Sequence, residues 1–158
     1  MRVVTKFQRG TPGAISDRLG VFLKPGTNPS FCTIDYRATV DAIGLMKADV
    51  ATGATDSTAF VFDLGTVCAK IGGTVRVACK NISSYAIGII SSSLAQGASS
   101  ALNVAPIKPR LNALDTAHIT FTIPPHAKGM YYDTLLVTID SCALSYRIPV
   151  SVRFVETT

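Results

Sequence analysis

The chain has no tryptophan, two histidines and few charges, and each shortage closes off a class of chemistry. Without tryptophan, and with aromatics at only 8%, there is no stripe of rings on which single nucleic-acid strands would stack. His118 falls on the outward side of an alternating segment and His126 follows Pro124-Pro125. Neither has a nucleophile close in sequence, so no acid–base or nucleophilic constellation is legible. Cys32, Cys68, Cys79 and Cys142 form no CxxC pair and have no close histidine, which argues against a zinc site. Gly72-Gly73-Thr74 lacks the lysine spacing and following helix of a phosphate loop. Asp63, Asp133 and Asp140 are candidate calcium ligands at strand ends, but aspartates there more often close turns. The expectation is a chain with no catalytic residue, cofactor, metal or small-molecule substrate. No run approaches the ~18 apolar residues that span a membrane. After Val3, Val4 and Thr5, Lys6, Gln8 and Arg9 interrupt the opening before a leader-like apolar stretch forms, which predicts folding in a cytoplasm.

Charged residues are 16% of the chain, against roughly 25% in typical soluble domains. With 47% hydrophobic residues over 158 positions, one core can be buried. So few charges on a strand-rich chain imply surface committed to neighbours. The net charge of +5 is uneven. Residues 1–37 hold six bases against Asp17 and Asp35, leaving the rest of the chain close to neutral. A basic N-terminal segment can meet an acidic neighbouring subunit or nucleic acid. The bases are dispersed and not interleaved with aromatics, so nucleic acid is the less favoured partner.

What is present is alternation with a period of two, the pattern of a sheet with one buried face. Phe60, Phe62 and Leu64 alternate with Val61 and Asp63; Val75, Val77 and Cys79 with Arg76, Ala78 and Lys80. Ile119, Phe121 and Ile123 repeat the pattern, as do Tyr146, Ile148, Val150, Val152 and Phe154. The fold class expected is all-β, an immunoglobulin-like antiparallel β-sandwich over 31–158, with residues 1–30 as an extended N-terminal arm. In the arm, Val3, Thr5 and Phe7 alternate before Gly10, Pro12 and Gly13. Leu19, Val21 and Leu23 alternate before Pro25-Gly26 and Asn28-Pro29. Phe31 to Tyr36 suits a strand of the sandwich, and 38–50 fits a short helix or a strand equally. Breaks are expected at Gly72-Gly73, Asn81 to Ser84, Ser91 to Ser100, Pro124-Pro125 and Asp140 to Cys142. The Ser91 to Ser100 stretch reads as a loop or crossover because it is rich in Ser, Ala and Gly. Cys79 falls on a buried face, a small core hydrophobe when reduced; free buried thiols are expected of the four cysteines, with one bridge possible if the chain is exported. The sequon Asn81-Ile82-Ser83 matters only in a secretory pathway.

Several segments together resemble a known group. Phe62-Asp63-Leu64-Gly65-Thr66-Val67, Gly72-Gly73-Thr74-Val75-Arg76-Val77 and Asn81-Ile82-Ser83-Ser84 stand in the order found in the immunoglobulin-like sandwiches of the ASH / major-sperm-protein type. Gly129-Met130-Tyr131-Tyr132-Asp133-Thr134-Leu135 and Arg147-Ile148-Pro149-Val150 resemble their later strands. The likeness covers about 60–155 and implies a cytoplasmic module that docks a peptide or cytoskeletal partner. Gly129 to Ile139 also resembles the final strand of spore-coat-U-type and chaperone–usher pilins. That likeness implies a secreted fimbrial subunit at the cell surface, but this chain continues through Ser145 to Val155. Independently of family, Gly65 and Gly129 suit positive φ, Asn81 suits a self-closed turn, and Pro149 suits an edge or bulge. Tyr131 suits a ring in the core with its hydroxyl at the sheet end.

The function expected is that of a structural protein, a subunit of an ordered assembly such as a virus or phage particle. Its partners are then copies of itself or other subunits, in a virion or a host cytoplasm. The residues expected to hold it there are those of the arm. Val3, Phe7, Leu19, Val21 and Leu23 would fill pockets at a neighbour's sheet edge, and Arg2, Lys6 and Arg9 would meet an acidic subunit or genome.

Overall fold

The computed structural model describes residues 13–23, 30–40, 43–55 and 59–156, the first two stretches as backbone. Among the described residues the chain is all-β, with no α-helix and so none long and apolar enough to cross a membrane. It divides into two compact units, 1–42 and 43–158. The first contains β1 (Gly13–Leu23) and β2 (Ser30–Val40), an antiparallel pair that makes up a sheet of its own. Phe31 to Tyr36, expected in the sandwich, therefore belongs to the N-terminal unit, and the boundary falls near Ala42 rather than at residue 30. The cause is pairing: Phe31 lies opposite Phe22 and Tyr36 opposite Asp17, information that no local pattern holds.

The second unit is a sandwich of two sheets. One has the order β3-β5-β9-β7, formed by β3 (Leu45–Ala48), β5 (Gly73–Asn81), β9 (Thr116–Ile123) and β7 (Asn103–Val104). The other has the order β4-β11-β10-β6-β8. Its strands are β4 (Phe62–Cys68), β11 (Ser145–Val155), β10 (Gly129–Ile139), β6 (Ile87–Leu94) and β8 (Arg110–Leu111). All strand pairs are antiparallel except β4 with β11, which run parallel. The stretch 38–50 forms the end of β2 and all of β3, with no helix in its described part.

The alternating residues fill one core. Phe62, Ile119, Phe121, Ile123, Ile148, Val150, Val152 and Phe154 are all buried, while Asp63, Thr122 and Arg153 between them are exposed. Phe62 meets Phe121 edge-on across the sandwich, at 6.5 Å between centroids. Each such side chain withdrawn from water contributes about 1.5–3 kcal/mol. Ala78 breaks the alternation, being buried between Val77 and Cys79. It lies opposite Ala48 on one flank and His118 on the other, and His118 Nε2 is 3.1 Å from the Val50 carbonyl, so the turn after β3 covers that spot. Asp49 makes that turn, accepting from the Ala51 and Thr52 amides and the Thr52 hydroxyl. The Thr52 amide first, then its hydroxyl, hold the Asp49 carboxyl below its ordinary range.

Turn chemistry places the strand ends. Gly72 has φ +76°, and a Cβ there would run into the Ile123 carbonyl, so the β4–β5 turn requires glycine. Asn81 is fully buried and its amide donates to the carbonyls of Tyr85, Leu111 and Asn112, while its Oδ1 accepts from the Ser83 amide. It thus closes its own turn and ties a second loop to it, and its amide nitrogen is fully engaged inside the fold. Tyr146 Oη accepts from the Leu45 amide at 2.9 Å, joining β11 to β3 of the opposite sheet. Pro149 is the last residue of β11 before the β4 ladder begins at Val150, so that flank of the strand behaves as an edge where a missing donor costs nothing.

One expected break is corrected. Ser91 to Leu94 continue β6, with Ser91 opposite Thr138, Ser92 opposite Val137 and Ser93 opposite Leu136. Small polar residues are accepted there because β10 supplies the apolar partners. The register slips between Thr138 and Ile139, and Ile90 is the extra residue of the resulting bulge. The loop proper begins at Ala95. Asp133 pins it, accepting from the Ser100 hydroxyl at 2.6 Å, and Tyr131 pins it by accepting from the Ala101 amide at 2.8 Å. Tyr131 packs against the core with its hydroxyl at the sheet end, as its pattern predicts.

Candidate assembly surfaces

Of the residues expected to form an assembly arm, Arg2, Val3, Lys6, Phe7 and Arg9 lie outside the described residues. Leu19, Val21 and Leu23 are in β1, opposite Ile34, Cys32 and Ser30. Residues directly opposite in an antiparallel ladder share a face. One face of the ribbon therefore carries Ile15, Leu19, Val21 and Leu23 together with Ala38, Ile34 and Cys32, and a single charge, Asp17. The other carries Ser16 with Arg37, Arg18 with Asp35, and Gly20 with Thr33, ending in Phe22 with Phe31. Within its own unit the ribbon has no third strand among the described residues, and a two-stranded hairpin alone is at best marginally stable in water.

The second surface is the outer face of the five-stranded sheet. Along β10 it presents Met130, Tyr132, Thr134, Leu136 and Thr138, and along β11 Ser145, Arg147, Pro149, Ser151 and Arg153. Tyr132 is 63% exposed, Met130 52%, and the bulged Ile90 63%. Arg147 and Arg153 are the only charges on the two central strands of this face. A sheet face turned to water is normally polar; on these two strands it is made of hydroxyls, apolar side chains and two cations, with Asp63 of β4 beside Ser151 and Arg110 of β8 towards the flanks. The sequence carried a signal for it: Met130, Tyr132 and Leu136 put apolar residues on the outward positions of a strand whose inward positions were already apolar.

The sandwich edges are less inviting. β7 and β8 are two residues each and β3 is four. β4 is longer but bulged, with a register shift against β11 around Gly65, whose φ is +75°. Longer strands are also left partly unpaired where their neighbours are short: β5 pairs with β3 only over Ala78–Asn81, leaving its first half unpaired on that flank. Beside it is a cleft of about 580 Å³ lined by residues that include Phe62, Asp63, Val75, Arg76 and Val77.

The groups weighed for chemistry are structural or isolated. His126 lies against Phe154 and Tyr131, with ring centroids 4.9 and 5.4 Å away. His118 is engaged with Val50 at the far end of another sheet. Asp133 and Asp140 are separated by seven residues of one extended strand, roughly 23 Å, too far to share an ion. Asp63 accepts from the Gly65 amide at 2.9 Å and Asp140 from the Gly88 amide at 2.8 Å, so both close local structure. Cys79 is a free thiol in the core, and burial pushes its pKa up to about 12. Among the described residues no three His, Cys, Asp or Glu gather where a metal ion would be held.

No family model matches the sequence, and neither does any curated protein. Solved structures show partial likenesses. A Porphyromonas gingivalis W83 protein of unknown function is 10% identical, with a TM-score of 0.50 over 92% of this chain and 68% of that one. The VesB protease of Vibrio cholerae is 12% identical, with a TM-score of 0.45 over 63% of this chain and 31% of its own. A family 123 glycoside hydrolase from Clostridium perfringens is 15% identical, with a TM-score of 0.43 over 61% of this chain and 23% of its own. At such identities a shared architecture is all that follows, and of the three only the first reaches a score on which even that rests.

Proposed function

We propose that this chain is a non-enzymatic structural subunit of an ordered multimeric assembly, such as a virus or phage particle, built on an immunoglobulin-like sandwich and held to its neighbours by the N-terminal hairpin. The observation that carries the reading is the separate β1–β2 sheet: two eleven-residue strands with an apolar face and no third strand or helix of their own unit among the described residues. The low charge of the outer β10–β11 face supports it, because a solitary soluble domain gains from charges there. The immunoglobulin assignment draws on strand order. β3-β5-β9-β7 against β11-β10-β6 follows the ABED and GFC arrangement. The short strand beside β6 comes after β7 in the chain, which departs from the usual sequence of connections.

Light scattering across concentration, with negative-stain imaging of the same fractions, tests the reading. Shells, rings, filaments or defined high-order oligomers are the expected result; a monomer at every concentration contradicts it. The same strand order, with Asn81 closing its turn, favours a second reading: a docking module of the ASH / major-sperm-protein type. Such a module stays monomeric or dimeric and captures one peptide partner. The fimbrial alternative has less to draw on, because β10 already has β11 and β6 on its two flanks.

A further inference from the structure

We infer that the outer face of the β10–β11 pair is the receptor for the apolar face of the β1–β2 hairpin of a second copy of this chain. The inference rests on the assembly reading above and adds which two surfaces meet.

Three features make the surfaces a pair. Their lengths agree: β1, β2, β10 and β11 are eleven residues each, so the ribbon and the strand pair beneath it both run about 36 Å. Two sheets stack face to face at about 10 Å with their strands within about 30° of alignment, and a two-stranded ribbon then covers two strands. Their apolar content agrees too. Leu19, Val21 and Ile34 on the ribbon have Tyr132, Met130 and Leu136 to lie against, the first two of these more than half exposed. Finally, their charges are opposite. The apolar ribbon face carries Asp17 alone, and the receptor carries Arg147 and Arg153, neither ion-paired with a described residue. Covering an arginine without a partner is costly, and Asp17 offers one. The ribbon's other face, where Arg18 and Asp35 stand opposite each other, stays towards water.

The two surfaces are different parts of the chain, so each subunit offers one of each. Such a heterologous contact propagates head to tail, and closes into a ring or shell or extends as a filament. It also gives a test by complementation. Leu19→Asp spoils the hairpin and leaves the receptor intact; Tyr132→Asp does the reverse. In the full-length chain each variant should raise the concentration needed for assembly by about tenfold or more. An equimolar mixture of the two should then form a two-chain species by light scattering, since exactly one good contact is available between them. That recovery also proves both variants folded. Three outcomes overturn the pairing while leaving the assembly reading in place: both variants assemble like the parent chain; Tyr132→Asp alone fails, as in face-to-face stacking; or the mixture stays monomeric. A parent chain that is monomeric throughout overturns the assembly reading and the pairing together.

Discussion

The hairpin and the sandwich are built from the same period-two pattern, but they end in opposite conditions. In the sandwich every alternating face finds a second sheet: Phe62, Phe121, Leu135, Val152 and Phe154 are at most 1% exposed and belong to one continuous cluster. In the hairpin the ladder is just as long, yet its own unit offers no second sheet among the described residues. An isolated ribbon of two strands is at best marginally stable in water, whereas two packed sheets supply their own core. Under the proposed function the difference assigns roles: the sandwich is the self-sufficient body, and the hairpin is the part whose stability depends on a neighbour.

The predictions follow that division from the largest effect to the smallest. Phe121→Ala should destabilise the sandwich by about 3–5 kcal/mol, seen as a lower denaturant midpoint with an unchanged slope. If the loss were under about 1 kcal/mol, the core would not be the shared one described. Gly72→Ala forces a side chain into left-handed backbone and against the Ile123 carbonyl, and should cost about 1–3 kcal/mol by the same measurement. Asn81→Ala leaves the buried Leu111 carbonyl, the half-buried carbonyls of Tyr85 and Asn112 and the Ser83 amide without their partner. A loss of about 1–3 kcal/mol is expected; a neutral result would mean the two loops are held by something else. Cys79 makes a pH prediction. Its thiol is held neutral by burial, from an ordinary 9.0 up to about 12, so the folded state retains a proton that the unfolded chain gives up. That stabilising term is complete below pH 9 and is lost as pH rises from 9 towards 12. Cys79→Ala should flatten the decline of stability over that interval, and an identical slope in both proteins would contradict the burial. The smallest effect is expected in the hairpin: Leu19→Ala should change the sandwich's unfolding free energy by less than about 0.5 kcal/mol while weakening assembly.

The same comparison explains what could be read in advance. β4, β5, β9 and β11 were legible because their inward residues are large and their outward ones polar, and the turns at Gly72, Asn81 and Pro124 carry their own chemistry. Ser91 to Ser93 were not, because a serine run becomes a strand only through Leu136, Val137 and Thr138 on β10. Phe31 to Tyr36 looked like the first strand of the sandwich because register is a property of two strands, and its partner lies in β1. For the candidate site, the alternation of Leu19, Val21 and Leu23 was visible. Its counterpart was present too, in Met130, Tyr132 and Leu136, but an apolar residue on an outward position gains meaning only once the inward face is known.

The central claim, that the hairpin makes the assembly and the sandwich does not, is tested most directly by measuring the mass in solution of residues 43–158 beside that of residues 1–158, with circular dichroism on both. The account predicts that 43–158 is a folded, cooperatively melting all-β monomer and that 1–158 forms high-mass assemblies. Assemblies of equal size from 43–158 alone would contradict it.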